Sequence, residues 1–136
     1  MKILVVHRQK EVIEQIKSVL HTNESIIRFS DSGLDGLLAA RIESFDLIIC
    51  STDLPVITGF ELVRSLRTNS VNKNTPVIFL ADFVDEKTTH LGNALGVAGM
   101  LALKEMSERL PVIVSEQVKA APDTNWDDLI TNHPLN

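Results

Sequence analysis

Three residues of this chain have the types that acyl transfer uses. Ser51 offers a nucleophile, His7 a base, and Asp53 a carboxylate that could orient an imidazole. A serine hydroxyl attacks only when a base takes its proton and donors stand ready for the developing oxyanion. No G-x-S-x-G elbow surrounds Ser51 and no oxyanion loop is visible, so the Ser51/His7 hydrolase reading lacks its structural context. The other histidines, His21, His90 and His133, are scattered without metal-ligand spacing. Gly33, Gly36, Gly59 and Gly96 fall at helix ends or turns and make no phosphate-cradling motif. The single cysteine, Cys50, sits in an apolar run, so there is no disulfide framework.

Any such chemistry depends on the elements that carry it. Residues 3–6 form a short uncharged apolar run, as expected of a strand buried on both faces. Val12, Ile13, Ile16, Val19 and Leu20 mark one face of a helix over residues 10–21. Residues 26–29 read as a more polar strand at a sheet edge. Ser32 and Asp35 form an S-x-x-D box that opens a helix to about residue 43. Residues 47–50 are the most apolar strand and belong in the sheet centre. Thr58 and Glu61 form a second capping box, for a helix to about Leu66. Thr75-Pro76 precedes a strand over residues 77–80. Asp82 and Asp85 can cap a helix that ends near Gly96. Residues 100–103 make a fifth strand, and a last helix spans about 107–120. Pro111 near its start is tolerable in a first turn and awkward deeper in.

Strands and helices alternating through short loops imply an α/β fold with parallel pairing and right-handed crossovers. The expected architecture is a three-layer doubly wound sheet of five strands, order 2-1-3-4-5. In such sheets the functional crevice lies at the carboxyl ends of the strands. That rule gathers His7, Arg8, Ser51, Ala81 and Leu103 around one site.

Residues 45–62, F-D-L-I-I-C-S-T-D-L-P-V-I-T-G-F-E-L, resemble the central segment of bacterial response-regulator receiver domains, D-L-I-L-L-D-x-x-L-P-x-M-D-G-x-E-L. Three further blocks follow the family's order. K-I-L-V-V at residues 2–6 looks like its first strand, T-P-V-I-F-L at 75–80 like T-P-V-I-x-L, and G-V-A-G-M-L at 96–101 like G-A-x-G-Y-L. The resemblance covers roughly residues 1–120 and implies the flavodoxin-like, CheY-like form of the fold above.

It also implies a phosphoryl-accepting Asp ending the third strand, and here that position is Ser51. The family's acidic Mg²⁺ ligands map onto His7 and Arg8, and arginine has no acceptor atom with which to bind a metal. The hydroxyl that bonds the phosphoryl oxygen maps onto Ala81, and the lysine of the fifth strand onto Leu103. Lys104 is adjacent and on a strand would face elsewhere. The aromatic switch residue maps onto Met100. Joint loss of these groups implies a pseudo-receiver, with no catalytic residue, metal or cofactor. Arg8 would fill the metal position and pair with Asp53, a bridge worth ~1 kcal/mol if partly exposed. The alternative is a phosphorelay receiver phosphorylated at a displaced acceptor, Asp53.

The rest of the chain bounds the function. At 136 residues it makes one domain, and 44% hydrophobic residues suffice for a core. Its net charge of −5 is spread out, with no basic cluster to suggest nucleic acid. No run is long enough for a membrane span or a signal peptide, and a reduced cytoplasmic location is expected. Residues 121–136 read as a tail or linker with no output domain after it. Trp126, Leu129 and Ile130 in it have i, i+3, i+4 spacing, behind a potential cap at Thr124, and the alternative reading is a docking segment for this domain or a partner. The last helix carries Leu110, Val112, Ile113, Val114 and Val118, more apolar residues than one buried stripe needs. The expected role is a phosphorylation-independent interaction module in two-component signalling. Its surface would be the fourth helix, fifth strand and fifth helix, including Met100 and Val112, and would bind a partner protein or a second copy.

Overall fold

Apolar runs that lack polar alternation are stable only where both faces of a sheet are covered. The chain's three most apolar runs become the centre of such a sheet. The structure, a computed structural model, describes residues 1–20 and 25–120, the last three as backbone only. Its elements are β1 (Lys2–Val6), α1 (Lys10–Leu20), β2 (Ile26–Ser30), α2 (Gly33–Ile42), β3 (Leu47–Ser51), α3 (Gly59–Thr68), β4 (Val77–Ala81), α4 (Glu86–Ala94), β5 (Gly99–Ala102) and α5 (Met106–Ala120). All neighbouring strands pair in parallel, in the order β2-β1-β3-β4-β5. This is the expected doubly wound sheet. His21, His133 and the segment with Trp126, Leu129 and Ile130 lie outside the described residues, as does the side chain of Val118.

Period-two geometry sorts the core into two layers. Ile3, Val5, Leu47, Ile49, Ile78, Leu80 and Leu101 face Val12 and Ile16 of α1 and Met106, Leu110 and Val114 of α5. Leu4, Val6, Ile48, Cys50, Val77 and Phe79 face the other way, onto Ala39 and Ala40 of α2 and Leu62, Val63 and Leu66 of α3. β2 is an edge strand, and its mixed burial follows from that position.

The capping residues act as their chemistry dictates, with two exceptions, Asp35 and Asp82. At α3 both halves of the box form: Thr58 Oγ1 accepts from the Glu61 N–H (3.1 Å), and Glu61 accepts from the Thr58 N–H (3.3 Å). At α2 only Ser32 Oγ accepts, from the Asp35 N–H (3.1 Å). Asp35 is one methylene shorter than a glutamate and the reciprocal bond is not made. Asp85 alone caps α4, accepting from the Thr88 N–H at 2.7 Å.

Two expected boundaries shift. β5 ends at Ala102, and Leu103–Glu105 form a 3₁₀ turn, so Leu103 lies off the strand. The turn brings Met106 and Leu110 into the core, both fully buried. It also starts α5 at Met106, which puts Pro111 in the second turn. The helix continues past the missing N–H because Leu110 and Val114 anchor it on either side.

Two polar clamps hold the lower loops, and no motif announces either. Asn72 is fully buried; its Oδ1 accepts from the Phe45 N–H (2.8 Å), and its Nδ2 donates to the carbonyls of Ala40 and Glu43, the latter at 2.8 Å. It ties the end of α2 and the start of β3 to the α3–β4 loop. Arg67 donates to the carbonyls of Leu95, Lys73, Thr75 and Gly96, joining α3 to the chain before β4 and after α4.

Candidate functional site

The carboxyl ends of β1, β3 and β4 meet at a crevice lined by His7, Arg8, Ser51, Asp53, Ala81 and Leu103, with Gln9, Leu80 and Asp82. Every residue that sequence reasoning placed there is there. Leu103 reaches the crevice from the 3₁₀ turn, and Lys104 beside it is exposed. Asp82 was expected only as a helix cap. The signal for its place was available, since it follows the last residue of β4.

His7 leaves the sheet with its N–H bonded to the Ser30 carbonyl (3.0 Å) and its ring buried. Nδ1 accepts from the Gln9 N–H at 3.0 Å, so in the neutral ring the proton sits on Nε2. Burial holds the imidazole pKa below its ordinary value, and the adjacent Arg8 adds to that; Asp82 and Asp53 oppose it more weakly. His7 is therefore a neutral ring whose acceptor nitrogen is already used.

Ser51 is buried at the end of β3 and bonds only locally. Its Oγ accepts from the Asp53 N–H (3.1 Å) and donates to the Asp53 carbonyl (3.2 Å). The loop is pinned at this point, because a Cβ at Gly59 would collide with the Ser51 carbonyl. The hydroxyl proton is committed to a carbonyl and His7 Nδ1 to an amide, so the Ser51–His7 proton transfer has no hydrogen bond to run along. Cys50, next in line, is no substitute nucleophile: burial pushes its thiol up to about 12.

Arg8 Nη2 donates to Asp53 Oδ2 at 2.8 Å across the mouth of the crevice, with side chains 50% and 70% exposed. Beneath the pair the cavity is only about 20 Å³. That is room for roughly one water.

On the sheet's far edge Met100 is half-buried against the second core layer. Gly92 of α4 sits against its sulfur, where a Cβ would collide. Val112 of α5 is exposed, while Leu110 and Val114 are buried and Ile113 half-buried.

The profile of the response regulator receiver domain matches residues 3–115. The chain belongs to this family. Over 80 residues it is 35% identical to the transcriptional regulatory protein CusR of Escherichia coli K12, covering 59% of this chain and 34% of CusR. Over 94 residues it is 24% identical to the cell cycle response regulator CtrA of Brucella ovis, covering 68% of this chain and 40% of CtrA. The match thus spans well under half the length of these curated relatives. The chemotaxis protein CheY4 of Vibrio cholerae superposes with a TM-score of 0.73 at 25% identity, over 89% of this chain and 98% of that one.

Receivers as a family imply Mg²⁺, and the donor set here does not fit it. Mg²⁺ demands oxygen ligands in near-ideal octahedral geometry and keeps several waters. Here one neighbour is a guanidinium, the imidazole acceptor is engaged, the serine hydroxyl bonds its own loop, and the Asp53 carboxylate is bonded to Arg8, which leaves Asp82 as the single further carboxylate on the lining. Among the described residues no three His, Cys, Asp or Glu side chains converge as a metal site. No helix among them is long and apolar enough to cross a membrane.

Proposed function

We propose that this receiver domain is a pseudo-receiver: a cytoplasmic interaction module of two-component signalling that works without phosphorylation and is not an enzyme. The observation that carries the reading is the Arg8–Asp53 ion pair, which puts a cationic side chain at the sequence position of an acidic metal ligand and occupies the nearest carboxylate. Ser51 in place of the acceptor, Ala81 in place of the hydroxyl and Leu103 in place of the lysine support it. With Met100 packed where the switch aromatic belongs, the α4–β5–α5 surface stays in one state. Output then depends on what binds that surface, a partner protein or a second copy, and exposed Val112 lies on it.

The competing reading is phosphorylation at Asp53, whose carboxylate is 70% exposed at the same mouth. Incubation with acetyl phosphate and Mg²⁺, followed by mass spectrometry, separates the two. The expected result is no hydroxylamine-sensitive adduct. Ser51→Asp alone should also stay unlabelled, because the new carboxylate meets Arg8 where a metal ligand is needed. Labelling should return only when acidic residues replace His7 and Arg8 as well, with Lys at position 103. Stoichiometric Mg²⁺-dependent labelling of Asp53 would overturn the pseudo-receiver reading.

A further inference from the structure

Among the described residues the edge strand β2 pairs only with β1. The Ile26 N–H donates to the Met1 carbonyl (2.9 Å), and the Ser30 carbonyl accepts from the His7 N–H (3.0 Å). Successive residues of a strand turn their amides to opposite sides, so Arg28 also faces β1 and Ile27 and Phe29 face outward. Their N–H and C=O groups open on a groove of about 750 Å³ between α1 and α2. An unpaired edge is a template for another strand, and proteins guard it with charge, Pro or a bulge. Ile26-Ile27-Arg28-Phe29-Ser30 has a single charge, and Glu43 neutralises it.

Beside this edge α2 exposes an apolar stripe. Leu34 (47% exposed), Leu38 (50%) and Ile42 (80%) recur every four residues. Ile27 and Phe29 pack on the α1 layer, so by alternation Ile26, 72% exposed, lies on the α2 face. The two ends of the stripe carry opposite charges, Asp35 in the first turn of α2 and Arg41 in the last. Neither has an ion-pair partner among the described residues. Arg41 donates to Ser65 Oγ and to the Asn69 carbonyl.

Both features are self-complementary about one two-fold axis. Set antiparallel to β2 of a second copy, Ile27 faces that copy's Phe29 and Phe29 its Ile27. Each pair exchanges two N–H···O=C bonds, and the axis passes Arg28. Antiparallel α2 helices put Leu34 against Ile42 of the second copy and Leu38 against Leu38. The acidic first turn then lies level with the other helix's basic last turn, and the axis passes Leu38. The two axes coincide. From Ser30 back to Arg28 the strand descends ~7 Å. From Gly33 on to Leu38 the helix descends ~7.5 Å in the same direction. Glu43, at the C-cap of α2, draws each Arg28 toward the amino ends of the strands, so the two cations diverge from the axis.

We propose that the chain dimerises through β2 and α2, joining two five-stranded sheets into one. A single foreign strand could bond Ile27 and Phe29 but would leave the stripe of α2 in water, whereas a second copy covers both. The contact uses no residue of the crevice and stands whichever reading of that site holds.

Light scattering on the intact chain over a concentration series should show twice the chain mass, falling to one on dilution. Leu38→Asp places two carboxylates on the axis and should leave single chains at every concentration. Ile42→Asp should weaken association severalfold. Both sites are half or more exposed, so the melting midpoints should agree with wild type at dilutions where all are single chains. Residue-resolved amide exchange tests the strand contact. In the dimer Ile27 and Phe29 should be as protected as Arg28. In Leu38→Asp they should exchange fast while Arg28 stays protected. A wild type that keeps the single-chain mass at high concentration overturns the proposal and leaves the edge to a foreign strand. A dimer that survives both Leu38→Asp and Ile42→Asp overturns it by placing the interface elsewhere. So does a dimer whose Ile27 and Phe29 amides exchange as fast as those of single chains.

Discussion

Truncating Asn72 to alanine should destabilise this domain more than breaking the Arg8–Asp53 ion pair at the crevice. Asn72 is fully buried, and its carboxamide satisfies the Phe45 N–H and the Ala40 and Glu43 carbonyls. Thr75 Oγ1, 3.0 Å from Oδ1, completes the cluster. A buried polar group stripped of its partner costs ~1–3 kcal/mol. The Phe45 N–H is a single donor with one proton to place, whereas each carbonyl has a second lone pair, so the three losses sum to less than three full penalties. About 3 kcal/mol is the expected total, which for a domain of this size lowers the melting midpoint by ~10 °C. Arg8→Ala removes one contact between side chains 50% and 70% exposed, a class worth ~0–1 kcal/mol. Thermal melts by circular dichroism, with urea unfolding to check that the m-value is constant, measure both. Asn72→Asp separates hydrogen bonding from packing. It keeps the shape and the acceptor but turns an oxygen toward two carbonyls, so at neutral pH it should be no more stable than Asn72→Ala. An Asn72→Ala midpoint within a couple of degrees of wild type would refute the reasoning, showing that water replaces the carboxamide at no cost. An Arg8→Ala loss larger than the Asn72→Ala loss would refute the ranking.

Three more expectations can be checked on the same samples. The His7 pKa is depressed by burial and by Arg8, so the folded state binds fewer protons there than the unfolded one. Its stabilising contribution is present above the ordinary histidine range and is lost as pH falls through and below it. His7→Asn, which preserves an acceptor for the Gln9 N–H, should therefore lose less stability than wild type on acidification, and parallel pH curves would contradict this. Val56 has φ of 70° and is 90% exposed, so Val56→Gly gives up little burial. It should stabilise by ~1 kcal/mol, the left-handed penalty less the entropy glycine loses; a lower midpoint would count against it. Val112→Glu, at a site 56% exposed, should abolish self-association or partner binding through α5 with the midpoint held within a few degrees. Unfolding would mean Val112 is core, and normal binding would move the interface off this face.

What the sequence disclosed and what it concealed divide along the range of the interactions involved. β1, β3 and β4 were legible because a strand covered on both faces must be apolar throughout, and the α3 cap because Thr58 and Glu61 are three residues apart. Ala81, Ser51 and His7 could be assigned to one crevice because parallel strands bring their carboxyl ends together whatever the side chains are. The end of β5 was misplaced by the same logic: Leu103 extends an apolar run, yet the turn that buries Met106 takes it off the strand. Asn72 and Arg67 were invisible because their partners are backbone groups of distant segments, and carbonyls carry no sequence signature. The crevice itself shows why residue identity and geometry have to be read together. Ser51, His7 and Asp53 are the right types for one chemistry and the right places for another. Their hydrogen bonds, to the Asp53 backbone, the Gln9 amide and Arg8, are the bonds of a site tied to itself. A group already satisfied by its own loop gains little from a metal or a phosphoryl group, and would have to give up those bonds to take either. The surfaces with something still to gain are apolar and lie elsewhere, at Val112 on one flank and Ile42 on the other.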